Sequence, residues 1–126
     1  MVLVDSTIWI EFLKSNPTYQ SDMEILLESK NVYAIEPVFA ELLYGSRSDK
    51  ERNRIISYWK VLPKIPFAEG ALIESAEYAN RNNFYNLGIG QIDSTLINAT
   101  IKSKCLIWTL DKKILNNIDK RFIYNS

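Results

Sequence analysis

Histidine is absent from this 126-residue chain, and cysteine occurs once, at Cys105. Without histidine, a nuclease built on paired imidazoles as acid and base is excluded. A single cysteine excludes a disulfide framework. Cys105 also lies in the apolar run Cys105-Leu106-Ile107-Trp108 with no imidazole to lower its pKa, so it reads as core packing rather than as a nucleophile. An excess charge is missing too: Lys+Arg and Asp+Glu are both 15. The molecule as a whole therefore has no electrostatic pull toward nucleic acid, and any such binding must come from a local basic patch or from bound cations. No apolar run approaches the roughly 20 residues that span a bilayer. No basic leader precedes Val2-Leu3-Val4 and Asp5 interrupts that run, so neither a membrane span nor a secretory signal is expected. The chain is expected in the cytoplasm. It shows no repeat, low-complexity tract or linker, and its length suits one domain, 1–126.

What is present is an alternation of strand-like runs and helical periodicity. Val2–Val4 and Val32–Ile35 are short, wholly apolar runs of the kind buried in parallel sheets, and Cys105–Trp108 is a third. Pairs Ile8/Phe12 and Trp9/Leu13 predict a helix from about Thr7 to Lys14, and Tyr19, Met23, Leu26 and Leu27 a second. Pro37 suits the first turn of a helix carrying Glu41, closed by Gly45. Ile55, Ile56 and Trp59 mark another helix, ended by Leu62-Pro63. Ala68, Leu72, Ala76 and Ala79 mark a further one. A helix from about Gly90 to Lys102 follows, and Phe122–Tyr124 is expected as a final edge strand. This order predicts an α/β three-layer sandwich with a mainly parallel sheet.

Four acids sit where a carboxylate is locally awkward. Asp5 ends the first strand, and Asp111 follows the late strand after Thr109 and Leu110. Glu41 lies within the apolar stretch Val38–Tyr44, and Asp93 is flanked at helical spacing by Ile89, Leu96 and Ile97. Each has a plain explanation alone: Asp5 and Asp111 precede helices and can cap them, Glu41 can face solvent, and Asp93 can be a satisfied buried acid. Together they have a better one. Burying unpaired carboxylates costs several kcal/mol, and the partner that suits clustered oxygens is a hard divalent cation such as Mg²⁺. Parallel sheets bind ligands beyond the carboxyl ends of their strands, where Asp5 and Asp111 are expected. The four acids should therefore converge at one pole, as in a metal-dependent phosphodiesterase.

The motifs Val2-Leu3-Val4-Asp5-Ser6-Thr7, Glu41-Leu42-Leu43-Tyr44-Gly45, Gln91-Ile92-Asp93-Ser94-Thr95-Leu96-Ile97 and Leu106-Ile107-Trp108-Thr109-Leu110-Asp111 run in order along essentially the whole chain. In this the chain resembles PIN domains, and specifically the VapC-type toxin ribonucleases of toxin–antitoxin pairs. The resemblance implies that Asp5, Glu41, Asp93 and Asp111 are catalytic and hold Mg²⁺ (or Mn²⁺), with Thr109 and Ser6 supporting them. It implies single-stranded or structured RNA as substrate, cut to leave a 5′-phosphate and a 3′-hydroxyl, a cognate antitoxin as partner, and a homodimer. One departure is Ile114, where relatives often carry an aromatic residue, which touches packing more than chemistry. Arg47, Lys112 and Lys113 are candidate RNA contacts near these motifs. Trp9, Phe12, Leu13, Tyr19 and Met23 are candidates for an antitoxin surface, and Ile55, Ile56, Tyr58 and Trp59 for a dimer face. Two other readings remain: a PIN-fold scaffold without catalysis, and a phospho-accepting receiver domain. The receiver would need a middle-strand acceptor Asp and a late strand Lys, neither of which is evident.

Overall fold

The structure, a computed structural model, describes residues 1–125. Three short parallel strands form its centre: β1 (Val2–Val4), β2 (Val32–Tyr33) and β3 (Leu106–Trp108), in the order β2-β1-β3. Val2 pairs with Val32 on one side and with Leu106 on the other. Single bridges extend the sheet at both edges, Ala34 with Lys64 and Ile107 with Ile123. The predicted last strand at Phe122–Tyr124 is thus reduced to one bridge, because Lys120–Phe122 turn as a 3₁₀ helix just before it.

Between the strands run α1 (Ser6–Leu13), α2 (Pro17–Glu28), α3 (Glu36–Tyr44), α4 (Asp49–Val61), α5 (Ala71–Arg81) and α6 (Gln91–Ser103), with the short α7 (Lys112–Leu115) after β3. The chain crosses from β1 to β2 through α1 and α2, and from β2 back past β1 to β3 through α3 to α6. These crossovers lay helices over the sheet, with α1 packed against α2 and α3, α3 against α4 and α5 against α6. They also create a switch point between β1 and β3, the place where such sheets bind ligands. Among the described residues no helix is long and apolar enough to cross a membrane.

Local chemistry explains the boundaries. Asp5 caps α1 through the Ser6 amide, Asn16 caps α2 with Pro17 at its first position, and Ser48 caps α4 through the Glu51 amide. In α3, Val38, Phe39 and Leu42 turn inward while Glu41 stays exposed. In α6, Thr95, Leu96, Ile97, Ala99 and Thr100 are buried, and the Thr95 and Thr100 hydroxyls donate to carbonyls one turn back, so their polar groups are satisfied.

The packing removes one surface expectation and narrows another. Trp9, Phe12 and Met23 are core residues, at 1%, 4% and 0% exposure, so they offer no surface to a partner. The α4 face is turned inward as well: Tyr58 lies 5.1 Å from Trp9, and Trp59 lies 5.5 Å from Phe39, measured between ring centres. Ile55 is buried and Ile56, Tyr58 and Trp59 are half-buried between α1, α3 and α4, which leaves only part of this face open. α5 also departs from its predicted stripe. Leu72 is exposed and Ser75 is the buried residue of this helix, which begins at Ala71 after a left-handed Gly70.

Candidate functional site

Asp5 leaves the end of β1 and is 4% exposed. Its Oδ1 accepts the Ser6 amide at 2.7 Å, with the Ser6 hydroxyl at 3.4 Å. Its Oδ2 accepts the Thr109 hydroxyl at 2.6 Å and the Thr7 hydroxyl at 3.0 Å. Each of those threonine oxygens in turn accepts a backbone amide, Thr109 from Asp111 and Thr7 from Leu110, both at 3.0 Å. Two hydroxyls therefore point their hydrogens at one carboxylate oxygen and lock the loop after β3 onto the end of β1. Thr7 is a support that the motifs do not single out. Its signal in the sequence is its position two residues after Asp5, where the side chain returns to the carboxylate it follows.

Asp111 caps α7, its Oδ1 accepting the Lys113 amide at 2.8 Å. The capping reading of Asp5 and Asp111 is thus correct as far as it goes. It does not compete with the functional one, since Asp111 commits only one oxygen to its helix.

Asp93, in the first turn of α6, is half-buried. Its pKa is pushed up from 3.8 to about 6. Burial is the largest cause, followed by the negative charge of Asp111, then that of Asp5, then a hydrogen-bonding contact with the Asp111 carboxyl, and last the charge of Glu41. All three other acids thus act on Asp93, with the exposed Glu41 the weakest. Ion pairs elsewhere join Arg52 to Asp49, Arg81 to Glu77, Lys102 to Glu74 and Arg121 to Asp119. Among the described residues none involves Asp5, Glu41, Asp93 or Asp111. Their oxygens are hard ligands without cationic partners, a set that suits Mg²⁺ or Mn²⁺ and not a soft metal. Among the described residues no group of three or more His, Cys, Asp or Glu side chains is gathered as a ready ligand set for a metal ion.

The basic candidates are less concentrated. Lys113 sends its ammonium to the Gly88 carbonyl at 2.5 Å, which ties α7 to the connection before α6. Lys112 is exposed beside Asp111. Arg47 is exposed and lines a separate groove of about 420 Å³, together with Ile10, Leu13, Leu42, Arg54 and Ile55.

A family model described as PIN domain matches residues 2–121. No curated protein matches the chain by sequence. Among solved structures, the crystal structure of VapBC2 from Rickettsia felis bound to a DNA fragment from its promoter contains a chain of similar fold. The TM-score is 0.70 at 21% identity, over 98% of this chain and 96% of that one.

Proposed function

The chain belongs to the PIN domain family, whose members are generally nucleases that use divalent metals, and from that premise we propose that it is a metal-dependent endoribonuclease, the VapC-type toxin of a toxin–antitoxin pair. One observation carries the reading. Asp93 is lifted to about 6 by burial and by three other acids, none of which has a cationic partner among the described residues. A fold has little reason to gather like charges at the open end of its sheet unless a cation joins them there.

In this reading Asp5, Asp93 and Asp111 hold Mg²⁺ or Mn²⁺, and Glu41 ligates directly or through water. When bound, such an ion supplies an activated water and neutralises charge on the phosphoryl oxygens of RNA. The residues of the chain supply position. Asp5 is fixed by the Thr7 and Thr109 hydroxyls and the Ser6 amide, so it is the rigid reference of the site. Asp93, Asp111 and Glu41 keep free oxygens and can close on an ion that offsets their repulsion. With no net charge on the molecule, the grip on the RNA backbone falls to Lys112 and Lys113 beside Asp111, while Arg47 belongs to the separate groove.

The likeness to VapBC2 supports an antitoxin as partner. With Trp9 and Phe12 inside the core, the surface best suited to it is the 420 Å³ groove, where Ile10 is 41% exposed and Arg47 and Arg54 stand beside apolar walls. An antitoxin segment with apolar and acidic side chains fits that chemistry. A homodimer is the other partner we propose, with the half-buried Ile56, Tyr58 and Trp59 offering it only part of their surface.

The test is RNA cleavage by purified protein with Mg²⁺ or Mn²⁺, against chelator and against Asp5→Asn and Asp93→Asn. Each substitution is expected to lower the rate about a hundredfold or more. Wild-type rates in either variant remove the catalytic assignment, and RNA binding without cleavage by the wild type makes the chain a scaffold.

A further inference from the structure

α5 and α6 pack side by side, and at the end of the pair that carries Asp93 they leave a recess of about 260 Å³. Half-buried Ala76 and Ala79 line its inner side together with Ile89, which is 6% exposed. Tyr85, Asn80 and Gln91 stand at its mouth. Ser94 lines it as well, but its hydroxyl is already given to the Gly90 carbonyl. No charged side chain is among the lining residues, which makes the recess a poor host for phosphate or for an ionic peptide. It is also smaller than the ~300–1,000 Å³ of pockets that enclose drug-sized ligands. A single flat, neutral, polar-edged ring suits both limits.

The mouth is built to hold such a ring. Tyr85 lies in the connection between α5 and α6, which is anchored on both sides of it. Buried Phe84 packs edge-on against Tyr78 with ring centres 5.6 Å apart, and Lys113 bonds to the Gly88 carbonyl. The backbone is held, yet the Tyr85 ring is 91% exposed and so contributes nothing to the core. Nearby amides are used internally, Asn82 on the Tyr78 carbonyl and Asn86 on Asn83. Those of Asn80 and Gln91, by contrast, make no hydrogen bond among the described residues. Gln91 and Ser94, three residues apart, share one side of α6, and Asp93 lies between them in sequence but on another side of the helix. Whatever fills the recess therefore lies around the helix from Asp93, one helical turn's width from it.

We propose that this recess is a base-binding subsite. One unpaired nucleobase of the RNA, belonging to a nucleotide near the cut, stacks on Tyr85 over Ala76 and Ala79, while Asn80 and Gln91 hydrogen-bond its edge. The proposal rests on the ribonuclease reading above and deepens it. It makes single-stranded RNA the preferred substrate, because a paired base has neither a free edge nor a free face to offer.

The test uses a single-stranded oligoribonucleotide whose cleavage position on the wild type is mapped, plus versions lacking one base at each of the two nucleotides on either side of the cut. Tyr85→Ala is expected to raise KM on the intact oligonucleotide about tenfold to a hundredfold, with an unchanged melting temperature, whereas Tyr85→Phe keeps the wild-type KM. One abasic version should show the same loss with the wild type and no further loss with Tyr85→Ala. A Tyr85→Ala protein within twofold of wild type on the intact oligonucleotide overturns the subsite. So does a loss that repeats on every abasic version. Wild-type protein that cuts no RNA with either metal overturns the ribonuclease reading itself, and the subsite with it.

Discussion

Replacing Asp93 by asparagine should make the metal-free protein more stable at neutral pH. The amide is nearly isosteric with the carboxyl but carries no charge beside Asp111, Asp5 and Glu41. The Asp93 pKa is raised from 3.8 to about 6 in the folded chain, so the folded state holds this proton more tightly than the unfolded one. The stability linked to it is fully present below about 3.8, is lost as pH rises through about 6, and above that leaves a constant penalty. At about 1.4 kcal/mol per pH unit the penalty reaches about 3 kcal/mol. Solvent screening at a half-buried carboxyl brings this to about 1–2 kcal/mol. For a domain of this size that is about 4–8 °C in Tm. Circular-dichroism melts of wild type and Asp93→Asn in chelator, at pH 7.5 and at pH 4, measure it directly. The variant should melt higher at pH 7.5, and the gap should nearly close at pH 4. A variant that melts at or below wild type at pH 7.5, or a gap that is the same at both pH values, refutes the repulsion argument.

Mg²⁺ or Mn²⁺ should raise the wild-type Tm at pH 7.5 by mass action, about 2.7 kcal/mol at a hundredfold excess over Kd, and should lose this effect at pH 4 as protons compete for the same oxygens. Melts that neither ion moves at pH 7.5 would exclude a metal site. Thr109→Val removes the shorter of the two hydroxyl bonds to Asp5 Oδ2 and leaves the Asp111 amide without its acceptor. It should cost about 1–3 kcal/mol in urea unfolding and lower the cleavage rate about tenfold to a hundredfold. Ile10→Glu, at the exposed edge of the 420 Å³ groove, should abolish co-purification of the cognate antitoxin while leaving RNA cleavage unchanged. An antitoxin still retained by this variant places its docking surface elsewhere.

Much of this architecture is legible in order and spacing. The apolar triplet Val2–Val4 can only be a buried strand, and the acid that ends it must lie at the sheet's open end. The same logic applies to Leu106–Trp108 and Asp111. That each lies at an open strand end is therefore a local property, set by where each strand stops, while their nearness to one another depends on β1 and β3 being neighbours. Asp93 is nearly so, because the buried Leu96 and Ile97, one turn on, share its side of α6. The four motifs in register also carry the likeness to PIN domains before any fold is known.

What the chain cannot express locally is which of two apolar faces meets which neighbour. Trp9, Phe12, Tyr58 and Trp59 have the composition of an exposed docking surface, and only the crossing of α1, α3 and α4 turns them into one aromatic core. Glu41 shows the same limit from the other side. It sits on the exposed side of its helix, yet the placement of α3 brings its charge to bear on Asp93 across more than fifty residues of sequence. The Thr7 and Thr109 hydroxyls, over a hundred residues apart, share one oxygen of Asp5 because β1 and β3 are neighbours in the sheet. Strands, caps and acids at strand ends follow from short-range periodicity and hydrogen bonding, which the sequence alone determines. Shared partners and buried aromatic faces depend on distances between elements, and those exist only once the sheet has ordered its strands and the helices have packed across it.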